Sequence, residues 1–388
     1  MLVNIKTHKD PGEVSMRLIH ASTKYPGTPL SSVVKKILQR KVRTLPHIYQ
    51  KTEDFINEFK TKNVNLPDDV IFWTADIGDF FMNGEFQDLI ESSTEHLEGD
   101  EKEGVRDALW ALLGTQYVRS PLIPEEIYHV VSGSGMGNRQ SSEVADLNFY
   151  HRVERNLISQ MQAHGVLLYG RYRDDIAVLQ KDESPTFGNG TFYHKLVTSA
   201  QRSGYKVEAD QFIVGSQREA HFLDLNIIKP KDFRLTRKFS FNLFVKPSAQ
   251  KVLLNPSSAH APKIHENWPF GELRRFAQRV NERRWFFDAK ARFVEKMRQT
   301  MFPPEVVEEL QKTLPLGFHL PVTKTRVEYP GTKVYWVLPY HPDIYKLKLD
   351  KKINQIIRDY QEHSKVHVCL SWTSIYKNIG IELRQLVT

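Results

Sequence analysis

The stretch LLYGRYRDDIAVLQ, residues 167–180, constrains this chain more than any other. Two short apolar runs flank Arg171 to Asp175, which predicts a strand–turn–strand hairpin. The flanks read as buried strand, yet the turn carries adjacent like charges, Asp174 and Asp175. Aspartate is favoured in turns, so an isolated pair needs no more than a polar β-turn. Three further features weigh against that reading. Tyr172 precedes the pair, giving Tyr-x-Asp-Asp. A third aspartate, Asp76, ends the apolar run IFWTAD, with Phe81 five residues on. Between these two sites lies SGSGMGNRQSS, leading into a long helical pattern.

At 388 residues the chain can hold two or three subdomains. An apolar content of 40%, with 22 Phe, 15 Tyr and 6 Trp, argues for a folded protein. The net charge of +8 favours an anionic partner, with nucleic acid the leading class. The single cysteine, Cys369, excludes a disulfide framework or a thiolate zinc site within one chain. That usage points to a reducing, intracellular compartment. No run approaches the ~20 apolar residues of a membrane span, and the start shows no signal-peptide pattern. The chain opens almost directly on KTHKDPGE, as if within a domain, so a truncated N-terminal region is expected.

Along the chain, TKYPGTPLSS reads as turns and SSVVKKILQRKV as a helix capped by Ser32. VIFWTAD predicts a strand over 70–76, and GEFQDLIESSTEHL has helical spacing. EGDEKEG reads as a solvated loop, followed by a helix-like or mixed segment, GVRDALWALLGTQYV. VADLNFYHRVERNLISQMQAHG reads as one long amphipathic helix, and YHKLVTSAQRSGY as a helix ending at Gly204. FSFNLFVKP and KVLLNPSS look like strands, residues 270–301 are helical and basic, and the last segment alternates strand and helix.

The carboxylates have a physical use. A strand-end aspartate can point up from a sheet, and a neighbouring hairpin can present Asp174 opposite Asp76. Converging carboxylates repel unless cations neutralise them, and Mg²⁺ suits carboxylate and phosphate oxygens. Two such ions about 4 Å apart activate a hydroxyl and stabilise a leaving pyrophosphate.

TADIGDFF, GSGMGNRQSS and YRDD stand in the order and spacing of the A, B and C motifs of reverse transcriptases, and FLDLNI follows at the primer-grip place. The flanks KTHKDPGEVSMRLIHAS, LLNPSSAHAPKIHENWPFGELRRFAQRV and VYWVLPYHPDI resemble those of Penelope-like retroelement reverse transcriptases, relatives of telomerase. The resemblance runs from about Lys6 to the C-terminus. It implies that Asp76 and Asp174 are the main metal ligands, with Asp175 a supporting acid and the Ile77 carbonyl facing metal. The implied ions are two Mg²⁺, with Mn²⁺ as the alternative. Phe81 would lie under the sugar of the incoming nucleotide and favour dNTP over rNTP. Lys6, Lys9 and Arg17 would hold the triphosphate, Arg17 foremost, with Lys6 and Lys9 equally readable as surface charges. Gly135, Gly137 and Tyr172 complete the nucleotide-binding set. Glycine at 135 and 137 permits close backbone approach; otherwise that stretch is a loop before a helix capped by Ser141 or Ser142. Lys206 reads as a surface charge, with a general-acid role as the alternative.

Three departures from the family stand out. The middle motif reads Asn138-Arg139-Gln140 where a proline is usual, and Arg173 takes a commonly apolar place. IYKNIGIEL is not enough for the GIY-YIG endonuclease that usually follows, so nicking in cis is not expected. Arg274, Arg275, Arg279, Arg283 and Arg284 crowd one helical region beside Phe276, Trp285, Phe286 and Phe287. The mixed reading is aromatics inside and some arginines on phosphates, a salt-sensitive grip without base code.

The expected fold class is α+β, a right-hand polymerase with fingers (1–66), a palm with an antiparallel sheet (67–235), a basic, helical, helix-turn-helix-like thumb (236–320) and a connector-like α/β segment (321–388). The expected activity is RNA-directed DNA synthesis on an RNA template from a DNA or RNA primer, with dNTPs, an RNA–DNA hybrid product and no membrane. The resemblance implies a nuclear site. The rivals are a catalytically silent, nucleic-acid-binding relic and an RNA-templated RNA polymerase.

Overall fold

The computed structural model describes residues 2–5, 16–19, 25–120, 123–183, 188–245, 253–256, 258, 260, 262–300, 302–313, 332–339, 346–360 and 366–373. The chain divides into two compact units, Met1–Ala249 and Gln250–Thr388.

In the first unit, β1 (Leu2–Ile5) and β2 (Met16–Ile19) form an antiparallel pair. Then come α1 (Thr28–Val42), α2 (Thr52–Lys62), β3 (Val70–Gly78), α3 (Phe86–Thr94) and α4 (Gly99–Gly114). A hairpin of β4 (Tyr117–Ser120) and β5 (Ile123–His129) follows. Next, α5 (Ser141–Phe149) runs through a π-helical turn, Tyr150–Glu154, into α6 (Arg155–Ile158). The chain continues through β6 (Val166–Tyr172), β7 (Asp175–Lys181), α7 (Phe192–Arg202) and β8 (Lys206–Ile213). It closes with β9 (Glu219–Phe222), β10 (Leu225–Ile228), α8 (Phe233–Thr236) and β11 (Ser240–Leu243).

The central sheet has the order β6-β7-β3-β8, every pair antiparallel. Successive side chains on a strand point to opposite faces, and both faces here are covered. On one, Val70, Phe72, Leu168, Ala177 and Leu179 meet Phe55 and Phe59 of α2 and the β9–β11 sheet. On the other, Ile71, Trp73, Ala75, Ile176 and Val178 meet Phe149 and Leu157, together with Phe192 and Leu196 of α7. Two covered faces explain why β3 and β7 read as unbroken apolar runs. A third core joins α1, α3, α4 and α5.

The segment before α2 docks on the edge of β6. The Tyr49 N–H donates to the Arg171 carbonyl (2.8 Å), and the Arg171 N–H to the His47 carbonyl (2.7 Å). A Cβ on Gly170 would fall 2.2 Å from the Tyr49 ring, whose hydroxyl is tied to Glu58. Gly170→Ala is therefore expected to cost about 1–3 kcal/mol of stability through overpacking, read from the urea midpoint.

Several expectations are corrected. EGDEKEG is not a loop: Gly99 opens α4, where Asp100 and Glu101 sit in the first turn. Carboxylates are favourable there beside unpaired backbone N–H groups. Ser32 does not cap α1, which starts at Thr28 with a proline in its first turn; the Ser32 hydroxyl donates instead to the Thr28 carbonyl, 2.8 Å away. The long helix starts earlier, at Ser141, and is broken in pitch by its π turn. The helix before Gly204 ends at Arg202. In the stretch expected to form a second strand, Leu253 to Pro256 are not in one; Lys251 and Val252 lie outside the described residues.

The second unit holds α9 (Pro262–Gln278), α10 (Arg283–Gln299) and α11 (Pro304–Lys312), so the 270–301 stretch is helical, as expected, and divided between α9 and α10. Phe276, Phe286, Phe293 and Met297 are buried among them. Then follow β12 (Thr332–Pro339), α12 (Leu349–Tyr360) and β13 (Val366–Thr373), with the two strands parallel and Cys369 registered beside Tyr335. Among the described residues no helix is long and apolar enough to cross a membrane.

Candidate active site

The three aspartates lie at one end of the central sheet. Asp76 on β3 is registered opposite Asp175 on β7 and opposite Glu208 on β8. Directly opposed residues of an antiparallel pair share a face, so Asp175 rather than Asp174 is the cross-strand partner of Asp76. Tyr172 pairs with Asp175, which leaves Arg173 and Asp174 as a two-residue hairpin loop. Arg173 has φ +57°. A positive φ at the first loop residue matches the right-handed twist of tight hairpins, but a non-glycine side chain is strained there. The Asp174 carbonyl accepts a 2.9 Å hydrogen bond from the Ile77 N–H. The turn is thus latched to the residue after Asp76. Asp76 is exposed, while Asp174 and Asp175 are half-buried.

Beneath the turn lies an ionic network that sequence reasoning missed. Arg171 is fully buried, as are Asp146 and Glu154. The Arg171 guanidinium forks onto Glu154, with Nε to Oε1 at 2.8 Å and Nη2 to Oε2 at 2.9 Å. Its Nη1 donates to Asp146 Oδ1 (2.7 Å), and the other Asp146 oxygen takes the Arg173 guanidinium. Tyr169 donates its hydroxyl to Glu154 (2.7 Å), and His47 lies 3.4 Å from the same carboxylate. Burial works to raise the Glu154 carboxyl, but Arg171 and His47 hold it well below the usual range. Burial likewise works to lower the Arg171 guanidinium, but Glu154 and Asp146 hold it above its ordinary value. The legible signal was charge at buried positions: Asp146 and Glu154 fall on the same helical run as core residues Ala145, Phe149 and Val153.

Phe81 is half-buried at the edge of the core, its ring edge-on to Phe80 at 5.3 Å between centroids. Its carbonyl accepts the Ser134 N–H at 2.8 Å, so the glycine-rich loop docks on the end of the Asp76 segment. Gly135 and Gly137 take φ of +66° and +112° there. Rather than capping α5, the Ser141 hydroxyl donates back to the loop carbonyl of Gly135 at 2.7 Å. Tyr172 is half-buried against the α2-side core.

Glu143, in the first turn of α5, is 1% exposed, and neither carboxylate oxygen carries a hydrogen bond; Lys35 lies 3.8 Å away. Burial pushes its carboxyl up, against the pull of Lys35. A raised folded pKa means that stability is gained as pH falls through it. Glu143→Gln is therefore expected to stabilise the fold at pH 7 by about 1 kcal/mol. The advantage should shrink on acidification, as thermal melts across pH would record.

The expected cations distribute unevenly. Lys6 and Lys9 lie outside the described residues, and Arg17 sits on β2 opposite Asn4. Lys206 is exposed and paired with Glu208 at 2.8 Å. Arg274 and Arg283 are exposed, as is Arg284, which is paired with Glu282 at 2.8 Å; Arg275 is paired with Glu272, and Arg279 is buried at 6% exposure. Buried Arg279 is thus poorly placed for a phosphate.

Among the described residues no three or more His, Cys, Asp or Glu side chains are gathered as a metal site. Mg²⁺ does not need such a cage, since it typically takes one or two carboxylates and completes its shell with substrate phosphates and water. Hard oxygen donors from Asp76, Asp174 and Asp175 fit that pattern.

No protein-family model and no curated protein matches the chain. Solved structures do. A telomerase from Candida albicans, solved with the TWJ fragment of telomeric RNA, aligns over 74% of this chain and 48% of its own, with TM-score 0.51 and 12% identity. The RNA-dependent RNA polymerase of a human picobirnavirus aligns over 80% and 58%, with TM-score 0.48 and 14% identity. An apo telomerase from Candida tropicalis aligns over 72% and 49%, with TM-score 0.43 and 14% identity. The chain spans about half the length of the telomerases it matches. The likeness to the Candida albicans telomerase is one of fold: this chain shares with it, over the aligned part, an arrangement of mixed helix and antiparallel sheet.

Proposed function

We propose that the chain is an RNA-directed DNA polymerase of the Penelope-like kind, extending a primer 3′-hydroxyl with dNTPs on an RNA template. The observation that carries this reading is the placement of Asp76 and Asp175 in register on adjacent strands, with Asp174 in a two-residue turn latched to Ile77. In this reading residues 1–66 are fingers, 67–235 palm, 236–320 thumb and 321–388 connector.

Asp76, Asp174 and the Ile77 carbonyl would hold two Mg²⁺, with Asp175 in support. When bound, such ions lower the pKa of the attacking hydroxyl and offset charge on the leaving pyrophosphate. The protein's own work is positioning: paired strands fix the acids so that like charges cannot swing apart. The glycine-rich loop lies against Phe81, where a ring beside the sugar would exclude a 2′-hydroxyl. Exposed Arg274, Arg283 and Arg284 would contact hybrid phosphates.

The test is primer extension on an RNA template with dNTPs and Mg²⁺, beside hybrid-binding titrations in rising salt. Extension supports the polymerase. Salt-sensitive binding without extension supports the silent relic. Phe81→Ala is expected to raise rNTP incorporation relative to dNTP by about 10-fold or more; unchanged selectivity would remove the ring from the sugar site.

A further inference from the structure

Arg171 spends its donors in an informative way. A guanidinium has five N–H groups, and each finds an acceptor here. Two go to the Glu154 fork and one to Asp146 Oδ1. A fourth reaches the Asp146 carbonyl at 3.3 Å. The fifth, from Nη1, reaches the Arg173 carbonyl at 2.9 Å, inside the two-residue turn that carries Asp174. The rings of Phe80 and Phe149 flank the guanidinium, their centroids 5.3 and 5.1 Å from its central carbon. A group so enclosed cannot drift, so the carbonyl it holds cannot drift either.

We propose that Arg171 is the positioning residue of the aspartate turn, with Asp146 as its anchor on α5. The turn is gripped at both of its residues. Arg171 holds the Arg173 carbonyl from beneath, and the Ile77 N–H holds the Asp174 carbonyl from β3. Asp146 also binds the Arg173 side chain, so one carboxylate ties both turn-side arginines to the helix that follows the glycine-rich loop. This grip offsets the left-handed backbone that Arg173 adopts, a conformation that persists only where surroundings enforce it. Lysine cannot replace the arginine, because a point charge with three donors cannot span a carboxylate fork, a second carboxylate and a carbonyl at once.

The catalytic part of this inference rests on the proposed polymerase reading; the positioning part does not, and the experiment separates them. Amide hydrogen exchange at Ile77, measured without metal or nucleic acid, reports whether the Asp174 carbonyl stays in place. Arg171→Lys and Asp146→Asn are each expected to speed exchange at Ile77 by about 10-fold or more relative to the amides of Ile71 to Trp73. Asp146→Asn keeps shape and serves if Arg171→Lys does not fold. Where the wild type extends primers, the same variants should lower kcat by about 10-fold or more while KM for dNTP and hybrid affinity stay within about 2-fold. A folded variant with Ile77 protection unchanged overturns the positioning role, whether or not the wild type is active. Faster exchange at Ile77 in a protein that never extends a primer upholds the grip and removes only the polymerase reading.

Discussion

Arg171→Met is expected to destabilise the fold by about 3–5 kcal/mol, the largest loss from any single replacement considered. Methionine matches the stem but carries no charge, so Glu154 and Asp146 would be left buried with their main counter-charge gone. The loss comes from stranding those carboxylates rather than from the worth of the pair in isolation. Removing one of them as well should therefore recover part of it: Arg171→Met with Glu154→Gln should be more stable than Arg171→Met alone. Urea unfolding of the three proteins measures this, and the idea fails if the double variant is the least stable. The pH dependence should also invert. In the wild type the Glu154 carboxyl is lowered, so its contribution is complete above about pH 4.3 and is lost as pH falls toward its folded value. In Arg171→Met, burial without the arginine raises that carboxyl, and acidification from neutral should stabilise the variant instead.

Asp76→Asn and Asp174→Asn are each expected to lower primer extension by at least about 10³-fold while leaving hybrid affinity within about 2-fold. The substitution keeps shape and removes the charge that would hold a cation. Asp175→Asn should cost less, about 10-fold, because its assigned part is to support the other two. The structure makes this a sharp comparison, since Asp175 and not Asp174 is the strand partner of Asp76. Equal loss at Asp174 and Asp175 in steady-state extension would show that the three acids act as one set.

Much of the candidate site was legible because its parts are local. A charged pair between two apolar runs marks a hairpin, and the hairpin is there, although only Asp174 lies in its two-residue loop and Asp175 opens β7. The end of an apolar run at Asp76 marked a strand, although pairing with β8 carries that strand on to Gly78. The acidic start of α4 was misread because composition cannot tell a solvated loop from a solvated first helical turn. The register that sets Asp175 against Asp76 was out of reach, because the two segments lie about a hundred residues apart. Nor could charge alone say which arginines near residue 279 face solvent.

The sequence by itself determined the hairpin and its two aspartates, the strand-end Asp76, the glycine-rich loop and the helical basic region, since each follows from residue type and short-range periodicity. Only the tertiary structure decided that Arg171, Asp146, Glu154 and the Arg173 carbonyl converge under the turn. Each of those charges looks in the sequence like one more polar residue. Burial is a property of packing, and only packing turns them into a network in which every donor must find its acceptor.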